Sequence, residues 1–135
     1  MARMVVQFAA MPPSPRAPRA LVLSYAGCST CKKALKWLAE HRAVVEVRPI
    51  ATSPPTAEEL SVWVPRSGRP ARKWLNTSGL SYRALDKARV AAASDEEILR
   101  WLTQDGKLVR RPVVVVGKRV LVGFDEKAYA EALGA

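Results

Sequence analysis

The stretch LVLSYAGCSTCKKALKWLAEHR, residues 21–42, decides the fold. Leu21 to Tyr25 is a short apolar run of β-favouring character, and Ala26-Gly27 follows as a tight connection. Residues 29–42 are rich in helix formers, with Cys31, Ala34, Leu35 and Leu38 along one face. A strand therefore runs through a glycine turn into an amphipathic helix, and a C-x-x-C unit sits at the junction. Val44 to Ile50 alternates well enough to be a second strand. Two strands around one helix make a βαβ unit, parallel and with a right-handed crossover.

Beyond that unit, Thr56 can cap a helix that runs to about Val64, with Glu58 and Glu59 where the helix dipole favours acids. The segment from Pro65 to Gln104 is helical in character but interrupted at Pro70, Gly79 and Ser94. Ser94-Asp-Glu-Glu opens its last helix, and Ile98, Leu99, Trp101 and Leu102 form the buried face. Leu108-Val109 and Val113 to Val116 read as strand, broken by Arg110-Arg111-Pro112. Gly117-Lys118 turns the chain into Arg119 to Val122, and Asp125 caps a closing helix to Leu133. The order is β-α-β, a helical insertion, then β-β-α. It defines a thioredoxin-like α/β fold: a mixed four-stranded sheet with the insertion between its two halves. Residues 20–135 form this one domain. Residues 1–19 are expected to be a disordered basic, Pro-rich arm; their apolar stretch is short for the core of an export signal, which is the lesser reading.

The chain has 22 basic and 12 acidic residues, a formal net charge of +10. Arg3, Arg16 and Arg19 lie in the arm, leaving +7 on the domain. Such a field attracts anions without choosing among them. Aromatic and basic residues do not interleave as in a stacking platform for single strands, so no direct nucleic-acid binding is expected. No apolar run approaches the roughly 18 residues of a membrane span. The four tryptophans, Trp37, Trp63, Trp74 and Trp101, share helical spacings with leucines and read as core.

The chemistry concentrates in Cys28 and Cys31. Both cysteines of the chain fall in this one motif, which excludes a disulfide-stapled scaffold and points to a reversible thiol couple in a reducing compartment, the cytoplasm. A cysteine ahead of a helix meets unpaired N–H groups and the positive end of the dipole, so Cys28 is expected to be the low-pKa attacking thiol. Cys31, one turn on, can resolve a mixed disulfide formed on Cys28. Lys32 and Lys33 add positive charge beside it. A zinc site would need further ligands, and the chain has no third cysteine and one histidine, His41, too far along the same helix and expected to face solvent. No phosphate-cradling glycine loop is present, so neither a metal nor a bound organic cofactor is expected.

Several separated segments carry a family likeness: Cys28-Ser29-Thr30-Cys31-Lys32-Lys33-Ala34, Lys73-Trp74-Leu75-Asn76-Thr77-Ser78-Gly79, Tyr82-Arg83, Leu108-Val109-Arg110-Arg111-Pro112 and Val122-Gly123-Phe124. From about Leu21 to Leu133 the chain resembles the arsenate reductase (ArsC)/Spx family. The resemblance implies that Cys28 is the nucleophile. It also implies that Arg111, ahead of a cis-Pro112, binds an oxyanion or steadies the thiolate. Arg83 falls where arsenate reductases carry another oxyanion-binding arginine. A guanidinium offers a planar fork of donors to either kind of anion. The chain departs from the arsenate reductases in having Cys31 in the resolving place, Lys32 where they have an arginine, and Phe124 where a third arginine would stand. The C-x-x-C and the Arg-Arg-Pro…Val-Gly-Phe end are nearer the Spx branch of redox-sensing regulators. Two readings follow: a thiol-dependent reductase restored by glutathione, glutaredoxin or thioredoxin, and a redox switch that binds the RNA polymerase α subunit.

Overall fold

The computed structural model describes residues 4–6, by backbone alone, and residues 17–134. Within these the chain divides into two compact units, Met1–Pro49 with Arg111–Ala135, and Ile50–Arg110.

The first unit is built on a five-stranded sheet with strand order β1-β3-β2-β4-β5. Strands β2 (Arg19–Ser24) and β3 (Val44–Pro49) run parallel on either side of helix α1 (Ser29–Glu40), as the βαβ reading requires. Strands β4 (Val113–Val116) and β5 (Arg119–Val122) form an antiparallel hairpin through Gly117, whose φ of 57° is a conformation that favours glycine. Strand β4 pairs antiparallel with β2, which makes the sheet mixed. Register decides the core. Ala20 lies opposite Val45, and Val22 opposite Val114, so these four line one face. Against that face pack Ala34, Trp37 and Leu38 of α1 and Tyr129 of the closing helix, all buried.

Two expectations for this unit need correction. The sheet has a fifth strand, because β1 (Met4–Val6) pairs antiparallel with the edge of β3, Val5 opposite Glu46. The arm read as disordered therefore contributes a strand at Met4–Val6, and β2 already begins at Arg19. A three-residue edge strand leaves no periodicity to detect, and the free side of β3 supplies the pairing. Residues 7–16 lie outside the described residues.

The second unit is the helical insertion. Helix α2 (Ala57–Ser67) opens with the capping box of Thr56 and Glu59, whose reciprocal hydrogen bonds measure 3.1 and 2.9 Å. It runs past the expected end near Val64, with Pro65 inside its last turn, and stops at Gly68 in the left-handed conformation. A proline in the last turn removes one donor only, and Gly68 closes the helix behind it. The other interruptions fall where the sequence puts them. Pro70 precedes a 3-10 turn at Ala71–Trp74, Gly79 precedes α3 (Leu80–Arg83), and Ser94 caps α5 (Asp95–Gln104) by accepting from Glu97 N–H. Helix α4 (Lys87–Ala92) lies between α3 and α5, and the Arg72 guanidinium donates to the Val90 and Ala93 carbonyls at its end, at 2.8 and 2.9 Å. Leu108-Val109, read as strand, is a 3-10 turn (Gly106–Leu108) followed by one isolated bridge between Val109 and Leu75. Trp63 and Trp74 are buried as expected, but Trp101 and Leu99, read into the buried face of α5, are half-buried, which leaves that face to Ile98 and Leu102; Trp101 lies beneath the Arg89 guanidinium.

One glycine of this unit is fixed by space. A Cβ at Gly106 would overlap the Ile50 carbonyl oxygen and stand 2.7 Å from its carbon. Backbone cannot rotate aside as a side-chain end can. Gly106→Ala is therefore expected to lower unfolding stability by about 3 kcal/mol, the upper end of overpacking costs, read as a lower denaturant midpoint. An unchanged midpoint would mean that Ile50 and Gly106 do not approach in solution.

Candidate active site

The site lies wholly in the first unit, where β2 hands over to α1. A hydrogen bond from Cys28 N–H to the Tyr25 carbonyl, 3.0 Å, closes the turn through Ala26-Gly27. Cys28 is the N-cap of α1, with extended backbone (φ −98°, ψ 115°), and its sulfur accepts from the Cys31 N–H at 3.4 Å. The cap position, usually held by Ser, Thr, Asp or Asn, thus goes to a thiol. Cys31 follows one turn later on the buried face of the helix, 1% exposed, while Cys28 is half-buried. Both are free cysteines.

The two thiols differ sharply in acidity. Partial burial works to raise Cys28, but it is outweighed. The Cys31 thiol and N–H both hydrogen-bond its sulfur, Arg111 adds a hydrogen bond and a positive charge, and the group sits below the ordinary thiol value. Burial pushes Cys31 the other way, up to about 11. The Tyr25 N–H and the Ser24 hydroxyl, both hydrogen-bonded to Cys31, oppose that rise, and the adjacent Cys28 sulfur adds to it. One sulfur is a thiolate at lower pH while its neighbour keeps its proton. That is the division of labour an attacking and a resolving thiol require.

Arg111 and Pro112 close the site from the segment ahead of β4. The peptide bond between them is cis. The Arg111 guanidinium carbon lies 4.7 Å over the Tyr25 ring, a cation–π contact that orients its fork while it hydrogen-bonds Cys28. Pro112 is held by the Gly123 N–H, which donates to its carbonyl at 2.8 Å, and the Gly123 carbonyl accepts from the buried Tyr129 hydroxyl at 2.6 Å. Tyr129 belongs to α6 (Glu126–Leu133), which Asp125 caps through its bond from Lys127 N–H. Its ring meets Phe124 and Trp37 edge-on. Tyr129→Phe leaves a buried carbonyl without its donor and is expected to cost about 1–3 kcal/mol, measured by denaturant unfolding; an unaltered midpoint would remove the hydroxyl from this support.

The structure brings together four of the residues singled out from the sequence, Cys28, Cys31, Arg111 and Pro112. Lys32 is exposed on α1, as is Lys33. Arg83 belongs to the second unit. There it is exposed at the end of α3 and lines a cavity of about 480 Å³ with Thr77, Tyr82, Leu85, Lys87 and Val90. Sequence reasoning missed Ser24, Tyr25 and Tyr129, whose roles depend on contacts that no local pattern encodes. His41 is exposed, as expected, yet it also stacks on Trp37 with ring centroids 3.6 Å apart. Among the described residues no three His, Cys, Asp or Glu side chains gather as a metal-binding group, and no helix is long and apolar enough to cross a membrane.

A mixed sheet of this topology, with C-x-x-C capping the helix after its central strand and an Arg–cis-Pro segment beside it, defines a thioredoxin-like protein. The ArsC family profile matches residues 23–132. The chain belongs to the ArsC family. It is 42% identical over 108 residues to the uncharacterized protein YusI of Bacillus subtilis, covering 79% of this chain and 92% of that one. It superposes on an ArsC-family-related crystal structure from Bacteroides fragilis with a TM-score of 0.80 at 42% identity, over 84% of this chain and 96% of the other. It is also 29% identical over 99 residues to the global transcriptional regulator Spx of Streptococcus mutans, covering 73% of this chain and 72% of that protein.

Proposed function

We propose that the protein is a thiol-dependent reductase in which Cys28 attacks and Cys31 resolves. The observation that carries this reading is the placement of the two thiols: half-buried Cys28 caps α1 with its sulfur accepting the Cys31 N–H at 3.4 Å, and Cys31 lies buried one turn on. Cys28 thiolate displaces one sulfur of a substrate disulfide as a thiolate and forms a mixed disulfide. Cys31 then closes the Cys28–Cys31 bond and expels the second sulfur. Two electrons pass from the dithiol to the substrate, and glutathione, glutaredoxin or thioredoxin returns them. An oxyanion such as arsenate, reduced in the same two-electron sense, is the substrate class that the family resemblance adds. Arg111 serves either class by stabilising negative charge at Cys28.

Sustained reduction of a small disulfide or of arsenate, with thioredoxin or glutathione as the only electron source, is the test. Turnover that saturates with substrate supports a reductase. Absence of turnover with every donor, together with capture of the RNA polymerase α subunit by only one redox state, would replace it with the regulatory reading. The similarity to Spx favours that second reading. Closing the Cys28–Cys31 bond would alter charge and cap geometry at the start of α1, a local change of the kind that switches use.

A further inference from the structure

One residue holds the nucleophile's turn at its backbone and the arginine at its ring. Tyr25 follows Ser24, the last residue of β2, whose pairing with Pro49 of β3 fixes where the strand ends. The Tyr25 carbonyl accepts the Cys28 N–H at 3.0 Å and so closes the turn that carries the sulfur. The Tyr25 ring lies under Arg111, with 4.7 Å between its centroid and the guanidinium carbon. Gly27 leaves room for that ring, since a Cβ there would stand 3.0 Å from Tyr25 Cε2 and the ring would have to give way. Arg111 is anchored from its other side through Pro112, whose carbonyl accepts the Gly123 N–H at 2.8 Å. Tyr25, Cys28 and Arg111 are all half-buried, and a cation over an aromatic face is held more firmly as water is withdrawn. Fixing a long arginine side chain costs rotamer freedom. The ring contact offsets that cost before any anion arrives.

We propose that Tyr25 is a positioning residue that ties the Arg111 guanidinium to the turn presenting Cys28, and thereby selects substrates with a negative charge beside the reacting atom. The proposal rests on the reductase reading above, in which Cys28 attacks and Arg111 stabilises negative charge there. It adds the cause of a preference among substrates. With its guanidinium held at the turn, Arg111 sets a fixed positive charge on the approach to the sulfur. Substrates carrying a carboxylate or an oxyanion are drawn in ahead of neutral ones of the same size. Without the ring the arginine keeps its charge but not its place, and the preference fades.

Alkylation by iodoacetate and by iodoacetamide, two reagents of similar size, tests this at a single sulfur. With either reagent the Cys28 thiolate forms a carbon–sulfur bond and iodide leaves with its electron pair; only iodoacetate carries a negative charge. Both need the same thiolate, so the ratio of their rates cancels its abundance. Peptide mass mapping places the adduct on Cys28, and Cys31, 1% exposed, is expected to stay unmodified. In Tyr25→Leu and in Tyr25→Met, which lack the ring, the iodoacetate-to-iodoacetamide ratio is expected to fall about fivefold. In Arg111→Ala it falls at least as far, and adding Tyr25→Leu to that variant changes nothing further, the coupling that a double-mutant cycle reads. Tyr25→Phe, which keeps the ring, is expected to retain the parent ratio. An unaltered ratio in the ringless variants overturns the proposal and leaves the reductase reading standing. A fall of equal size with and without Arg111 also overturns it, because the tyrosine would then act on the turn alone, and so does a Tyr25→Phe that behaves like Tyr25→Leu. A parent protein whose Cys28 reacts with neither reagent below alkaline pH overturns the reductase reading, and the proposal with it.

Discussion

Cys28→Ser is expected to abolish reductive turnover, by more than roughly 10³-fold, as removal of a covalent nucleophile does. The loss is chemical and not a loss of fold. Cys28 is the N-cap of α1, and serine is among the preferred residues there, accepting from the same backbone N–H that now reaches the sulfur. The variant should therefore unfold near the parent's denaturant midpoint while doing no chemistry. Cys31→Ser behaves differently. Cys28 still attacks, but the mixed disulfide has no internal thiol to resolve it, so one equivalent of substrate stays attached and is read by intact mass. Turnover that survives Cys28→Ser would transfer the chemistry elsewhere in the chain.

The second large effect lies with Arg111. Its guanidinium bonds the Cys28 sulfur and adds positive charge, two of the influences that hold that thiol low. Removing a hydrogen bond to a charged group costs about 1.5–3 kcal/mol, and here that cost falls on the thiolate. In Arg111→Ala the pH midpoint of Cys28 alkylation is expected to climb toward the free-thiol value of about 8.5. The sign follows from which form the arginine favours. It stabilises the thiolate, so without it a higher pH is needed to remove the proton, and reactivity near neutrality falls. Arg111→Lys keeps the charge but not the planar fork, and should fall between the two. A midpoint that stays put in Arg111→Ala would leave the Cys31 donors as the whole cause.

Most of the fold was legible because its signals are local. Thr56, Ser94 and Asp125 each announce a helix start through a side chain that reaches no further than the next turn, and all three serve as caps in the structure. The βαβ crossover was legible for the same reason, since the apolar faces of β2, α1 and β3 are written in consecutive residues. What stayed hidden depends on distant pairings. Met4–Val6 becomes a strand only because the edge of β3 is there to receive it. The Leu108-Val109 pair has strand composition, but the tight approach of Gly106 to Ile50 and the turn that follows leave it one bridge and not a ladder. In the site, Cys28 and Cys31 declare themselves by spacing. Arg111 and Pro112 needed the family resemblance, because an Arg-Pro pair before a strand has no chemistry of its own. Tyr25 under the guanidinium is a long-range contact, and the Tyr129 hydroxyl reaches back six residues to Gly123; no motif marks either.

A sulfur that caps a helix is engaged in two tasks at once, and they compete. Whenever Cys28 forms a bond to another atom, its lone pairs are drawn from the Cys31 amide that it accepts from at rest. The opening turn of α1 then holds its amide proton less firmly, and that proton trades with deuterium in the solvent more readily. The backbone of the helix thus keeps a record of the thiol's chemical state, legible at the Cys31 amide, while the Lys32 amide, bonded to the Cys28 carbonyl, serves as the unaffected neighbour.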